Sequence, residues 1–157
     1  MKKFSDIEWN MQSALLEAEL AYKSNEVPVG AVVVDKSGTI LSKAHNEKES
    51  VFDPCGHAEV LALKKAAALT KNWRLQDTTL FVTLEPCPMC LSAALHARVG
   101  AIVFGAYDLK GGALSLGYNL YKDQRLNHNC SIMGGVLHYK CSNILSNFFR
   151  EKRKFHS

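Results

Sequence analysis

Long apolar runs are missing from this chain: none of its 157 residues lies in a stretch near the roughly 18 to 20 apolar residues that a bilayer span needs. No transmembrane helix is expected. The opening MKKFSDIEWN carries two lysines with no uninterrupted apolar stretch behind them, which argues against a secretory signal and for a cytoplasmic protein. Proline is scarce, at 4 residues, and no internal repeat, low-complexity tract or linker rich in Pro, Gly or Ser divides the chain. One domain over 1–157 is therefore expected, long enough to bury a real core. A large charge excess is also lacking. The net charge is +4, from 19 basic and 15 acidic residues, so only a local basic patch is available to attract a polyanion. REKRK at 150–154 is that patch; it also reads as the solvated last turn of a helix, with cations at the negative end of its dipole. The five cysteines (55, 87, 90, 130 and 141) are an odd set, and in a reducing compartment they point to metal binding or catalysis before disulfides.

Periodicity sets out the elements. FSDIEWNMQSALLEAELAY places apolar residues at Phe4, Ile7, Met11, Leu15 and Ala18 behind a Ser5/Glu8 pair at capping-box spacing, an amphipathic helix. VPVGAVVVD and TILSKAH flank KSG and form an antiparallel hairpin that turns at Gly38. AEVLALKKAAAL (58–69) suits a helix, TTLFVTL (78–84) a buried strand, CPMCLSAALHARV a second helix begun by prolines, and GAIVFGA (100–106) another buried strand. CSIMGGVL supplies a fifth strand, and YKCSNILSNFFREKRKF a terminal helix with Ile144, Leu145 and Phe148 inward. Strand–helix alternation implies parallel pairing with crossovers, here joined to an antiparallel edge. The expected fold class is α/β, a three-layer αβα domain with a central mixed five-stranded sheet flanked by helices.

Two motifs carry chemistry. In EPCPMC, Cys87 and Cys90 stand three apart at a helix start, so both thiols face one side and can share an ion. Prolines 86 and 88 fit a first turn whose amides lack internal partners, and the positive end of the helix favours thiolates. In PCGHAEVLAL, His57 and Glu59 are two apart, a spacing that points helical side chains away from each other. If Gly56 lets the chain turn and His57 occupies the cap, its dihedrals are not helical and the two side chains can converge. His57, Cys87 and Cys90 then make three ligands, one short of a closed tetrahedron, which is the pattern of a catalytic zinc site with water in the fourth place. Glu59 beside that water collects and hands on its proton, chemistry suited to hydrolytic attack on an amidine-like ring carbon with ammonia leaving.

H-A-E at one helix start and P-C-x-x-C at the next also match zinc nucleobase deaminases. The chain resembles the bacterial tRNA-specific adenosine deaminases of the cytidine deaminase-like superfamily over nearly its whole length. The resemblance is carried by NEVPVGAVVV (25–34), Asn46, DPCGHAEVLAL (53–63), WRL (73–75), TLEPCPMC (83–90), VFGAYDLKGGA (103–113), NH (127–128) and SNFFREKR (146–153). It implies a cytidine deaminase-like fold, a cytoplasmic homodimer, one Zn2+ per subunit on His57, Cys87 and Cys90, and hydrolysis of adenosine to inosine at wobble position 34 of a tRNA anticodon. The implied partner is the anticodon stem-loop of an arginine tRNA. In the implied reaction zinc-bound hydroxide attacks C6 while Glu59 protonates N1 and then the departing amine. Asn46 matches a residue that hydrogen-bonds the flipped nucleoside, and Glu26, Asp108, Asn127, Phe148, Phe149 and Arg150 fall in segments lining the substrate or RNA path. Plainer roles stand beside these: a turn for Asn46, loop caps for Asp108 and Asn127, a solvated acid for Glu26, and core or interface apolars for the two phenylalanines.

The chain departs from the family at Cys55 and Gly56, where bacterial members commonly carry Thr and Ala. Cys55 reads as a small buried residue in the threonine's place or as a thiol competing for zinc, and Cys130 and Cys141 read as core thiols. Two rival functions remain at this level. A deaminase of a free base, guanine or cytosine, shares the zinc set but has less use for a basic terminal helix. An RNA-binding scaffold with a structural zinc would lack a reason for Glu59 and would close the site with a fourth ligand.

Overall fold

The elements in chain order are α1 (Phe4–Lys23), β1 (Gly30–Val34), β2 (Ile40–His45), α2 (Ala58–Thr70), β3 (Thr79–Leu84), α3 (Pro88–His96), β4 (Ala101–Ala106), a short 3-10 turn (Leu120–Lys122), β5 (Ser131–Met133) and α4 (His138–Lys154). They are seen in a computed structural model that describes residues 4–156; the lysines at 2 and 3 lie outside the described residues. Ser5 is already helical, so the anticipated capping box does not begin α1.

The five strands form one sheet in the order β2-β1-β3-β4-β5. β1 pairs antiparallel with both β2 (Ala31↔Ala44) and β3 (Ala31↔Val82), whereas β3 with β4 (Phe81↔Val103) and β4 with β5 (Ile102↔Ile132) are parallel. The hairpin thus joins the sheet through its first strand. Composition explains this: GAVVV is buried throughout and suits an interior strand, while β2 exposes Lys43 and suits an edge. At the hairpin turn the Asp35 carboxylate accepts from the Ser37 amide and hydroxyl and the Thr39 amide, and Gly38 takes φ +94°. β5 is shorter than the apolar run suggests because Gly135, at φ +87°, bends the chain away after Met133.

Period-two alternation sorts the side chains into two cores. Ala31, Val33, Leu80, Val82, Ile102 and Phe104 pack with Ala62, Leu63 and Ala66 of α2 and Leu91 and Leu95 of α3. On the opposite face Val32, Val34, Phe81 and Val103 pack with Met11, Ala14 and Leu15 of α1 and Cys141 of α4. Three layers result, as expected. Each fully buried large apolar side chain contributes about 1.5–3 kcal/mol, which makes the sheet a rigid base for what its strand ends carry.

Strand direction decides where those ends lie. β2, β3 and β4 all run opposite to β1, so their carboxyl ends and the amino end of β1 share one edge of the sheet. Glu26, Asn46, the Pro86–Cys87 segment and Asp108 therefore emerge together, at the place where open α/β sheets bind ligands.

Candidate metal and catalytic centre

His57 is the N-cap of α2, with extended dihedrals (φ −81°, ψ 144°) and no side-chain cap bond. Its carbonyl accepts the first helical bond, from Leu61, so the imidazole is free of helical geometry. The capping acceptor comes from another element: Asn46, just past β2, accepts from the Ala58 amide through Oδ1 at 2.9 Å. Gly56 serves by close approach, not by an unusual φ. A Cβ there would stand 2.8 Å from the Glu47 carbonyl, whose own amide donates to the Gly56 carbonyl.

Cys87 is likewise the N-cap of α3, with Pro88 at the first helical position and Cys90 one turn in. His57 Nδ1 lies 3.6 Å from Cys87 Sγ and 3.4 Å from Cys90 Sγ, and all three ligand atoms fall within 4.8 Å of one another. Bonds of about 2.0–2.1 Å to nitrogen and about 2.3 Å to sulfur set the two atoms about 3.5 Å apart on one tetrahedral zinc, so the donor set fits that ion. Among the described residues these three form the one group of His, Cys, Asp and Glu arranged to share a metal. The thiols are not equivalent. The hydrogen bond between them pulls Cys87 down to about 4 and pushes Cys90 up, while the bond to Cys87 raises His57.

Glu59 is 3% exposed, beside the Cys90 thiol, and its Oε2 has no hydrogen-bond partner. Burial raises its carboxyl to about 7. A buried, unpartnered carboxylate oxygen is costly unless a polar group meets it. A water on a metal held by His57, Cys87 and Cys90 is the group that would.

The other expected site residues divide. Glu26 is buried, and its Oε1 accepts from the Ser50 amide at 2.7 Å; burial works to raise its pKa, but the amides of residues 48–50 outweigh it and the net shift is downward. It is a clamp on the loop before the metal ligand, not a solvated acid. Asp108 caps its own loop, accepting from the amides of Lys110 and Gly111. Phe148 is buried edge-to-face on Tyr22, while its neighbour Phe149 is 44% exposed and Arg150 is exposed. Tyr22, Asn25, Phe148, Lys152 and Phe155 line a hollow of about 450 Å³ just ahead of Glu26. Asn127 is not brought to this edge. It precedes β5, which runs parallel to β4, and so stands at the opposite edge, in a hollow with His96 and Arg98. Cys55 is exposed, correcting its reading as a small buried residue, and stands outside the metal group. Cys141 is buried as expected, and Cys130 half-buried.

A model of the MafB19-like deaminase family matches residues 4–153. The tRNA-specific adenosine deaminase of Bacillus subtilis (strain 168) is 45% identical over 144 residues, covering 92% of this chain and 89% of the relative. The chain belongs to the tRNA-specific adenosine deaminase family. A solved structure from a study of A-to-I editing by tRNA:A34 deaminases at the wobble position superimposes with a TM-score of 0.83 at 34% identity, covering 87% of this chain and 99% of that one. The guanine deaminase of Bacillus subtilis is also similar, at 33% identity and a TM-score of 0.62, but covers only 71% of this chain and 69% of its own.

In this member of the deaminase family one buried acid escaped the sequence reading. Glu85, between β3 and Pro86, is 2% exposed. Its only signal was an acid wedged between an apolar strand and the proline that leads to Cys87.

Proposed function

We propose that residues 1–157 form one zinc-dependent hydrolase domain that converts adenosine to inosine at wobble position 34 of a tRNA anticodon, releasing ammonia. The observation that carries this reading is the convergence of three ligand atoms beside the buried, unpartnered oxygen of Glu59. His57, Cys87 and Cys90 would hold one Zn2+ per subunit. Zinc at such a site lowers the pKa of water toward neutrality and so supplies a nucleophile at physiological pH. Glu59 would take one water proton and deliver it to purine N1, then take the second from the new C6 hydroxyl and pass it to the departing amine; a carboxyl that burial raises to about 7 suits both directions of transfer. Asn46 holds the start of α2 in register and hydrogen-bonds the nucleoside through its remaining capacity.

The anticodon loop must present its adenosine extruded from the stack. The exposed ring of Phe149, with exposed Arg150, Arg153 and Lys154 and half-buried Lys152, gives the last turns of α4 aromatic and cationic groups suited to a single-stranded loop. Glu26, Asp108 and Phe148 support that path from beneath, and a tRNA that also reaches Asn127 extends round to the far edge of the sheet. An arginine tRNA is the substrate carried over from the family resemblance. A homodimer is supported by the outer face of α2 and α3, where Val60, Leu63, Ala67, Ala93 and Trp73, the last 54% exposed, line an apolar hollow of about 300 Å³. No helix among the described residues is long and apolar enough to cross a membrane, in keeping with work on tRNA in the cytoplasm.

Deamination of a free base is the second reading, favoured by the similarity to guanine deaminase. Turnover on an anticodon stem-loop set against free guanine, cytosine and adenosine separates the two. Inosine from the stem-loop, with the free compounds inert, is the expected result; preferential turnover of a free base would replace the RNA reading.

A further inference from the structure

We infer that Glu85 is a positioning residue that fixes the loop from Asp108 to Ser115 in its substrate-binding form; this rests on the proposed placement of Asp108 in the RNA path. Three donors converge on this one buried carboxylate. Oε1 accepts from the Asp108 amide at 3.2 Å and the Ser115 hydroxyl at 2.6 Å, and Oε2 accepts from the Ser115 amide at 2.9 Å. Two further bonds lock the same neighbourhood: the Glu85 amide donates to the Ala106 carbonyl, and the Ala113 amide to the Pro86 carbonyl. The loop is thereby tied to the segment that immediately precedes Cys87.

The chemistry of the clamp is specific. A carboxylate offers acceptor positions only, so it meets three donors without conflict. A glutamine in its place must turn one N–H toward a donor in either amide orientation. The loop has also made room for the acid: a Cβ on Gly112 would overlap the Glu85 carboxylate and stand 2.6 Å from the Asp108 carbonyl oxygen, so a side chain at 112 displaces the clamp and the loop backbone together. The hydrogen bonds of the Glu85 carboxylate go to Asp108 and Ser115 of the loop, so its effect on catalysis runs through the loop.

The test compares the unaltered zinc-loaded enzyme with Glu85→Gln, Ser115→Ala and Gly112→Ala, reading bound zinc, KM and kcat on an anticodon stem-loop, and amide hydrogen exchange at positions 108 and 115. Leaving buried donors unpaired should raise KM about tenfold in Glu85→Gln while zinc content stays at that of the unaltered enzyme and kcat changes far less. Protection of both amides should fall. Gly112→Ala should reproduce this pattern, and Ser115→Ala, which removes one donor only, should show it more weakly and covers the case in which the other two fold poorly. Retained protection, a loss confined to kcat, or loss of zinc in Glu85→Gln would overturn the inference. An unaltered enzyme inactive on the stem-loop would instead sink the proposed substrate, while the exchange comparison would still decide whether Glu85 holds the loop.

Discussion

The starts of α2 and α3 face the same difficulty and meet it differently. Each cap residue, His57 or Cys87, has extended dihedrals and makes no side-chain cap; its side chain is turned instead into the group formed with Cys90. At α2 the missing acceptor comes from Asn46, just past β2 and twelve residues before the Ala58 amide that it accepts from. At α3 the need is reduced at source, since Pro88 has no amide hydrogen to satisfy. A helix start can therefore give its cap residue to chemistry if another group takes over the capping or if a donor is deleted. The first solution couples the ligand to a distant strand; the second is local and written into five consecutive residues.

Removing a ligand from either start breaks the comparison most severely. His57→Ala and Cys87→Ala should each lose zinc and all inosine formation, as read by metal analysis and turnover; full zinc content in either would mean that the two starts do not share an ion. Next in size is Asn46→Ala, which strips the imported cap and should lower stability by about 1 kcal/mol in denaturant unfolding. Asn46→Asp, which keeps the acceptor, should restore most of that loss while leaving binding of the nucleoside impaired. Glu26→Gln sharpens the same side, loosening the 48–50 turn, and protection of the Ser50 amide in hydrogen exchange should drop. Smallest is Pro88→Ala, where the cost should be about 0.5 kcal/mol, mostly from a freer unfolded chain, with zinc retained.

The two starts also differ in how openly they were written. PCPMC offers a paired thiol clamp by its spacing and H-A-E a ligand and an acid once His57 is placed at the cap, and it is the conjunction of the two motifs that points to a metal centre. The mixed sheet, the three layers and the inward side of α4 at Phe148 followed from periodicity. The join of the hairpin to β3 through β1 did not, because period-two patterning fixes faces and not neighbours. Nor did the work of Glu26 and Glu85: an isolated acid carries no mark of which distant amides will close on it. Asn127 fell at the far edge because its position depends on the direction of a three-residue strand, which the glycines after Met133 cut short.

Glu59 is proposed to move protons at a site whose metal it does not hold. That role is tested by measuring zinc content and inosine yield on one preparation of Glu59→Ala, beside the unaltered enzyme, with an anticodon stem-loop as substrate. Equal zinc is expected, with turnover reduced by a factor on the order of 10² to 10⁴ or more. Inosine formed at the unaltered rate, or zinc lost along with the carboxylate, would contradict that role.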